Sequence, residues 1–401
     1  VVASLAILSC VAANKQAVFM APTEILVKQH YVTFSRLLPT LRIAILTGSF
    51  ANATHSEFPT EISFAKKRTW ILERLATGEI DVLLSTHAVL EDRVQFFDLA
   101  LIVVDEQHRF GVNQRKTLKQ KMPQHDCFPH MLSLTATPIP RSLALTMYGD
   151  LDISCIREMP KGRLPIKTQL ARESERKTVY SFVAEEIKRG RQCYVICPLI
   201  EESDALGVAS VQIEYEKLRK EVFRDLNIGL LHGKLQSREK DAVMKEFSDG
   251  TLQILVSTSV VEVGVDVSNA TLMIIEGSER FGLSQLHQFR GRIGRGNEQS
   301  YCFLFYGNAS AQTRARLSVV ANSNDGFEIA SRDLELRGPG EVFGSRQTGF
   351  PEFTLATLQD SKLIAEANEA AHILLEQDQT LSAFPALREK IESKVKDAHF
   401  E

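Results

Sequence analysis

The sequence predicts an α/β protein of two lobes, each a doubly wound parallel sheet between helices, followed by a helical, glycine-rich last section. Three observations predict it. Short apolar runs rich in β-branched residues alternate with helical stretches on both sides of a segment holding Pro160, Gly162 and Pro165, and runs that are apolar throughout are strands buried on both faces. Most of these runs end on small hydroxylated or acidic residues, as strands do at the ligand-facing edge of an open α/β sheet. From Gly326 to Pro351 glycines and prolines become frequent and the strand rhythm stops.

Composition sets the outer limits. With 401 residues, 44% hydrophobic and 24% charged, the chain has room for two or three domains with ordinary globular cores. A net charge of −3 excludes a globally basic nucleic-acid binder but leaves room for a local basic lane. Six cysteines are dispersed, and only Cys193 and Cys197 lie close. Four apart in an apolar strand, these two share a face and read as core thiols in a reducing compartment. The opening apolar run, residues 1–13, lacks a basic leader and leads directly into a strand, so it is expected to be a buried helix rather than a signal peptide. No stretch is long and apolar enough to suggest a membrane span.

In the first half, residues 17–21 form an apolar run closed by Pro22, Thr23 and Glu24, after which the spacing is helical, with Thr23 placed as N-cap. Residues 43–46 lead to Thr47-Gly48-Ser49, and residues 80–85 lead to Thr86 and His87. Residues 131–134 end at Thr135-Ala136-Thr137-Pro138. Amides and hydroxyls at such turns can contact phosphates, although at any one of them taken alone plain helix capping is the better reading. The run Leu101-Ile102-Val103-Val104 stops at Asp105 and Glu106. One carboxylate there can hold Mg²⁺ through waters while the second activates a water, which is the division of labour that nucleotide hydrolysis requires.

After a linker, strands recur at residues 194–197, 228–231, 254–257, 272–275 and 302–305, which implies a second lobe and a cleft between the two. Its most informative segment is Gln285 to Gly296, with four arginines and no acid between residues 280 and 295. Glycines at 291, 294 and 296 are poor helix formers, so a plain surface helix would avoid them. They suit a backbone that approaches a ligand while Arg292 and Arg295 reach phosphates.

Taken in order, Pro22-Thr23-Glu24, Asp105-Glu106-Gln107-His108, Thr135-Ala136-Thr137, Gly264-Val265-Asp266 and Gln288-x-x-Gly291-Arg292-x-x-Arg295 resemble the successive motifs of superfamily 2 helicases. The extended stretch Asp105 to Gly111, then Thr135 to Arg141, is similar to the RecG branch-migrating helicases and the related transcription-repair coupling translocase. Gln107 and the stretch Asp333-Leu334-Glu335-Leu336-Arg337-Gly338-Pro339-Gly340-Glu341, with Gly344-x-Arg346-Gln347-x-Gly349, favour the RecG form.

That resemblance implies two RecA-like lobes, at residues 1–153 and 171–325, joined by a linker at 154–170, with a translocation motif and C-terminal helices at 326–401. It implies an ATP-dependent DNA helicase that uses Mg²⁺ to remodel stalled forks and Holliday-type junctions. Asp105 would hold the cation and Glu106 would activate water. Arg292 and Arg295 would act on the γ-phosphate, Arg295 as arginine finger, with Gln288 beside them. Gly264 and Asp266 would line the nucleotide cleft. Gln107, His108, Thr135 and Thr137 would link nucleotide to DNA, while Pro22, Thr23, Thr86 and His87 touch the DNA backbone. Arg337, Arg346 and Gln347 belong to the translocation motif. The expected partner is branched or forked DNA, met as a monomer in a bacterial cytoplasm at the nucleoid, with no membrane.

One departure stands out. A phosphate loop ends in Gly-Lys-Ser/Thr, yet Gly233-Lys234, the chain's one Gly-Lys pair, is followed by Leu235. The chain is therefore expected to begin just after that loop and to be inactive alone. Two other readings stay open: the coupling-factor double-stranded DNA translocase, and a non-catalytic nucleic-acid-binding module. Asp105, Glu106, Arg292 and Arg295 together argue against the module, because a scaffold has no use for a hydrolytic set.

Overall fold

The computed structural model describes residues 1–55, 62–106, 129–135, 153–156, 158, 162–198, 204–259, 267–307, 310–337 and 361–397. The chain divides into two compact units, with the break after Ala136.

In the first unit α1 (Val2–Ala12) is followed by β1 (Gln16–Met20), α2 (Glu24–Leu37), β2 (Ile43–Leu46), β3 (Ala51–Ala53), α3 (Phe64–Ala76), β4 (Val82–Ser85), β5 (Leu99–Asp105) and β6 (His130–Leu134). The sheet order is β3-β2-β4-β1-β5-β6. Every pairing is parallel except that of β3, a three-residue antiparallel edge strand too short to show in the sequence pattern. Apolar clusters cover both faces of the sheet, with Val18, Met20, Leu83 and Ile102 on one and Ala17, Phe19, Leu84 and Val103 on the other. Double-sided burial is why these strands are apolar throughout. Helix α1 packs Ala3 and Ile7 onto the sheet but leaves Val1, Val2, Leu5 and Leu8 exposed, so it is buried on one face only, which corrects the expectation of a buried helix.

The second unit contains β7 (Lys167–Ala171), α4 (Arg176–Lys188), β8 (Gln192–Ile196), α5 (Asp204–Lys217), β9 (Ile228–Leu231), α6 (Ser237–Ser248), β10 (Ile254–Ser257), β11 (Ala270–Ile275), α7 (Leu283–Arg290) and β12 (Tyr301–Phe305). The sheet order is β7-β12-β11-β8-β10-β9, all parallel. Residues 167–170, expected in the linker, are part of β7. This edge strand alternates exposed Lys167 and Gln169 with half-buried neighbours, so it carries no apolar run to betray it. Among the described residues four helices follow: α8 (Ala311–Asn322), α9 (Gly326–Arg337), α10 (Ser361–Gln377) and α11 (Pro385–Asp397). Residues 326–337, which open the stretch where glycines and prolines become frequent, are helical. Among the described residues no helix is long and apolar enough to cross a membrane.

The two sheets repeat one plan. Reading the second sheet backwards, β9-β10-β8-β11-β12 matches β2-β4-β1-β5-β6, and the extra edge strand is added at opposite ends. The same contacts recur. Gln16 opens β1 buried and donates from Nε2 to the carbonyls of Leu75 (2.9 Å) and Ile80 (2.7 Å). Gln192 opens β8 and donates to Phe247 (2.5 Å) and Leu252 (2.7 Å). Each amide thus satisfies a carbonyl in the last turn of the helix beside it, where intrahelical donors run out. Ser85 Oγ at the end of β4 donates to Leu46 O (2.6 Å), and Ser257 Oγ at the end of β10 donates to Leu231 O (2.8 Å).

The expectation that Cys193 and Cys197 are core thiols agrees with the structure. Cys193 and Cys197 are free, buried thiols in a single apolar cluster, and Cys302 is buried too. Burial pushes the Cys302 thiol up to about 12, so it stays protonated and inert.

Candidate functional site

Parallel pairing brings the carboxyl ends of β1, β2, β4, β5 and β6 to one edge of the first sheet. Register places Met20 beside Val104 and Ser85, Leu46 beside Ser85, and Asp105 beside Leu134. Pro22 and Thr23, Thr86 and His87, Asp105 and Glu106, and Thr135 therefore all emerge along that edge. Thr23 Oγ1 accepts from Leu26 N at 3.4 Å and so caps α2, as its spacing predicts. At Glu24 burial, which alone would raise the pKa, is outweighed by hydrogen bonds from Ser49, and the carboxyl is held below its usual range. Thr47 is fully buried, closes the turn between β2 and β3 against Phe50, and its side chain also hydrogen-bonds Glu24. Thr86 precedes the short 3₁₀ turn His87–Leu90 without capping it through its side chain.

Asp105 closes β5 with both carboxylate oxygens engaged. Oδ1 accepts from Glu106 N at 3.1 Å, and Oδ2 lies 3.1 Å from His30 Nε2 on α2. Glu106 stands immediately beyond the strand at φ +53°, in the left-handed region. A non-glycine residue there costs roughly 1 to 3 kcal/mol, and such strain collects at functional sites because the surroundings hold it in place. Its Oε2 is shielded from solvent.

In the second unit α7 and the turn after it carry the arginine segment. Gln288 is only 8% exposed, and its Oε1 meets no donor among the described residues. Arg292 and Arg295 follow on the turn, half-buried, with Arg295 Nε donating to Gly291 O at 3.3 Å. Arg290 goes the other way. It is 2% exposed and donates from Nη1 to the carbonyls of Val320 (2.5 Å) and Ser323 (2.8 Å), and from Nη2 to His287 Nδ1 (2.9 Å). Since a guanidinium only donates, His287 is neutral with its proton on Nε2. Burial, then the Arg290 charge, press its pKa down to about 4.

Two glycines of this segment have close neighbours within the chain. Gly294 sits at φ +70°, where a Cβ would lie 2.9 Å from Ile166 Cγ1, and a Cβ on Gly296 would lie 2.9 Å from the Ser268 carbonyl oxygen.

Gln107, His108, Thr137, Gly264, Asp266, Arg346 and Gln347 lie outside the described residues, and Arg337 is the last residue of α9. Sequence reasoning missed His30 and the anchoring role of Arg290. His30 fell on a regular helical spacing and Arg290 inside an arginine run, so neither stood out. Among the described residues no cluster of three or more His, Cys, Asp or Glu could hold a metal ion.

Family models match most of this length. One described as DEAD/DEAH box helicase matches residues 1–146, and one described as helicase conserved C-terminal domain matches residues 175–297. A third, described as ATP-dependent DNA helicase RecG, domain 3, C-terminal, matches residues 323–393. The chain is 47% identical over 395 residues to the ATP-dependent DNA helicase RecG of Synechocystis sp., covering 98% of this chain and 45% of the relative. It is 46% identical to RecG of Bacillus subtilis, covering 94% and 53%. The chain belongs to the RecG-type helicases of superfamily 2.

It is similar to the solved RecG bound to a three-way DNA junction, with 41% identity and a TM-score of 0.71 over 90% of this chain and 45% of that one. S. cerevisiae Dbp5 bound to RNA and ADP BeF3, at 15% identity and a TM-score of 0.52 over 91% of this chain and 85% of that one, shares the fold. This RecG-type chain spans about half the length of the curated relatives it matches.

Proposed function

We propose that this chain is the motor of an ATP-dependent DNA helicase that remodels branched DNA, such as stalled forks and Holliday-type junctions, in recombination and repair. The observation that carries this is the edge of the first sheet, where Thr23, Thr86, the Asp105 and Glu106 pair, and Thr135 emerge together. The likeness to a RecG that holds a three-way DNA junction supports it.

ATP with Mg²⁺ supplies the bond to be broken and the charge that screens its phosphates. Asp105 suits that cation, because a carboxylate at a strand end offers hard oxygen donors and Mg²⁺ is commonly held by one or two carboxylates with its waters retained. Glu106 orients and deprotonates the attacking water. Arg292 and Arg295 meet charge developing on the γ-phosphate, Arg295 as the finger, and Gln288 assists. Gly264 and Asp266 contact the nucleotide. Pro22, Thr23, Thr86 and His87 hold DNA phosphates, and Gln107, His108, Thr135 and Thr137 couple the two ligands. Arg337, Arg346 and Gln347 serve translocation. Residues 1–153 and 171–325 are the lobes, 154–170 the linker and 326–401 the translocation section of a monomer that works in the bacterial cytoplasm at the nucleoid.

The test is Glu106→Gln in the whole protein. It should bind ATP as the parent does but neither hydrolyse it on DNA nor unwind a fork. Turnover at the parent's rate would overturn the assignment.

A further inference from the structure

His30 has no part in the scheme above, yet it touches the residue on which that scheme depends. It lies on α2, and its ring packs against Phe19 of β1 (4.6 Å between centroids) and Phe34 one turn along (5.9 Å). Phe19 is paired with Val103 of β5, so the ring that His30 packs on belongs to the strand next to the one that ends in Asp105. Packing on two aromatic rings fixes the imidazole, and Nε2 is left 3.1 Å from Asp105 Oδ2. A carboxylate has no proton to give, so Nε2 carries the hydrogen and donates. Glu106 N donates to the other oxygen, Oδ1, at 3.1 Å. With a donor on each oxygen the carboxylate is not free to turn about its Cβ–Cγ bond, and its remaining lone pairs point in set directions.

We propose that His30 is a positioning residue: it holds Asp105 in the orientation that receives the waters of a nucleotide-bound divalent cation, without itself touching cation or nucleotide. This rests on the reading of Asp105 given under Proposed function. Carboxylates at metal sites are generally held by such outer hydrogen bonds, and removing one costs roughly 10- to 100-fold in metal affinity or activity.

Two variants separate positioning from packing. His30→Phe keeps a ring between Phe19 and Phe34 and removes the donor, whereas His30→Gln keeps a donor of similar reach. The probe is Mn²⁺ with a non-hydrolysable ATP analogue, titrated into the whole protein and followed by water-proton relaxation, with thermal unfolding measured alongside. The expected result is that His30→Phe melts close to the parent but raises the Mn²⁺ midpoint about tenfold or more, and that His30→Gln restores most of the loss. A midpoint for His30→Phe within about twofold of the parent, well below the 10- to 100-fold range for such bonds, would overturn the proposal. So would a loss that His30→Gln fails to restore, since that is the mark of packing alone. If the parent itself binds no Mn²⁺ with the analogue, the reading of Asp105 falls and this proposal with it. A parent that binds normally beside an unaffected His30→Phe defeats only the role of His30.

Discussion

Arg290 Nη1 donates to the main-chain carbonyl of Ser323 at 2.8 Å, so the helix that carries the arginine segment is tied to the residue that ends α8. The same nitrogen reaches Val320 O in the last turn of α8. Both acceptors belong to a helix end, where carbonyls have no intrahelical partner. Arg290→Met should therefore leave buried acceptors unsatisfied, at about 1 to 3 kcal/mol each. Thermal unfolding should show a midpoint several degrees below the parent. Arg295→Ala, at a half-buried side chain on the turn after α7, should shift it far less. Equal shifts for the two would show that Arg290 is not an anchor.

The contact between Arg290 and His287 gives a pH dependence. His287 has a folded pKa of about 4, below its ordinary 6.5, because burial and then the Arg290 charge disfavour the imidazolium. Between those values the unfolded chain binds more protons than the folded one, so folding stability falls as pH falls. The contribution is complete above about 6.5 and lost on the way to about 4, amounting to ~3 kcal/mol at most. His232, which burial and then Lys240 and Lys234 shift the same way, adds to the loss in this window. Denaturant unfolding at pH 7 and pH 5 should show the parent losing more stability than His287→Gln. An unchanged difference between the two would contradict the buried neutral imidazole.

Much of this could be read in the sequence, for physical reasons. Strands buried on both faces must be apolar throughout, so β1, β4, β5, β8, β10 and β11 announced themselves, as did Thr23 as a cap. Edge strands answer to solvent on one side, and β3 and β7 left no such mark. Asp105 and Glu106 were legible because acids interrupt an apolar run. The contact of His30 with Asp105 joins residues 75 apart through the fold, and no local pattern encodes it. The glycines at 294 and 296 were visible as places of close approach and were read toward a ligand, but their neighbours Ile166 and Ser268 were not visible, since a sequence shows that backbone must come close without showing to what.

Gly294→Ala and Gly296→Ala decide between a ligand and those neighbours. Alanine at 294 would have to adopt φ +70° and push into Ile166, while at 296 its Cβ would meet the Ser268 carbonyl, which is main chain and cannot step aside. A left-handed alanine costs roughly 1 to 2 kcal/mol, and overpacking typically adds about 1 to 3. Both variants should melt below the parent with no ligand present. Were both as stable as the parent and weakened only in nucleotide binding, the glycines would serve a ligand after all.

The conformation of Glu106 links stability to activity in a way that can be measured. It holds a left-handed backbone at φ +53°, which asparagine tolerates better than glutamate. Glu106→Asn should therefore melt no lower than the parent, and by up to about 1 kcal/mol higher, while DNA-stimulated ATP hydrolysis by the whole protein is lost with the base. Arg295→Ala should also lose turnover, on the order of 10³-fold if the guanidinium stabilises the transition state, but it should gain no stability because its backbone is unstrained. The 401 residues alone should hydrolyse ATP hardly at all with or without either change, because their one Gly-Lys pair lacks the following Ser or Thr. The decisive comparison is Glu106→Asn against Glu106→Gln, both inactive. If asparagine is the less stable of the two, the left-handed turn after β5 carries no strain, and the trade of stability for a poised carboxylate is not made at this residue.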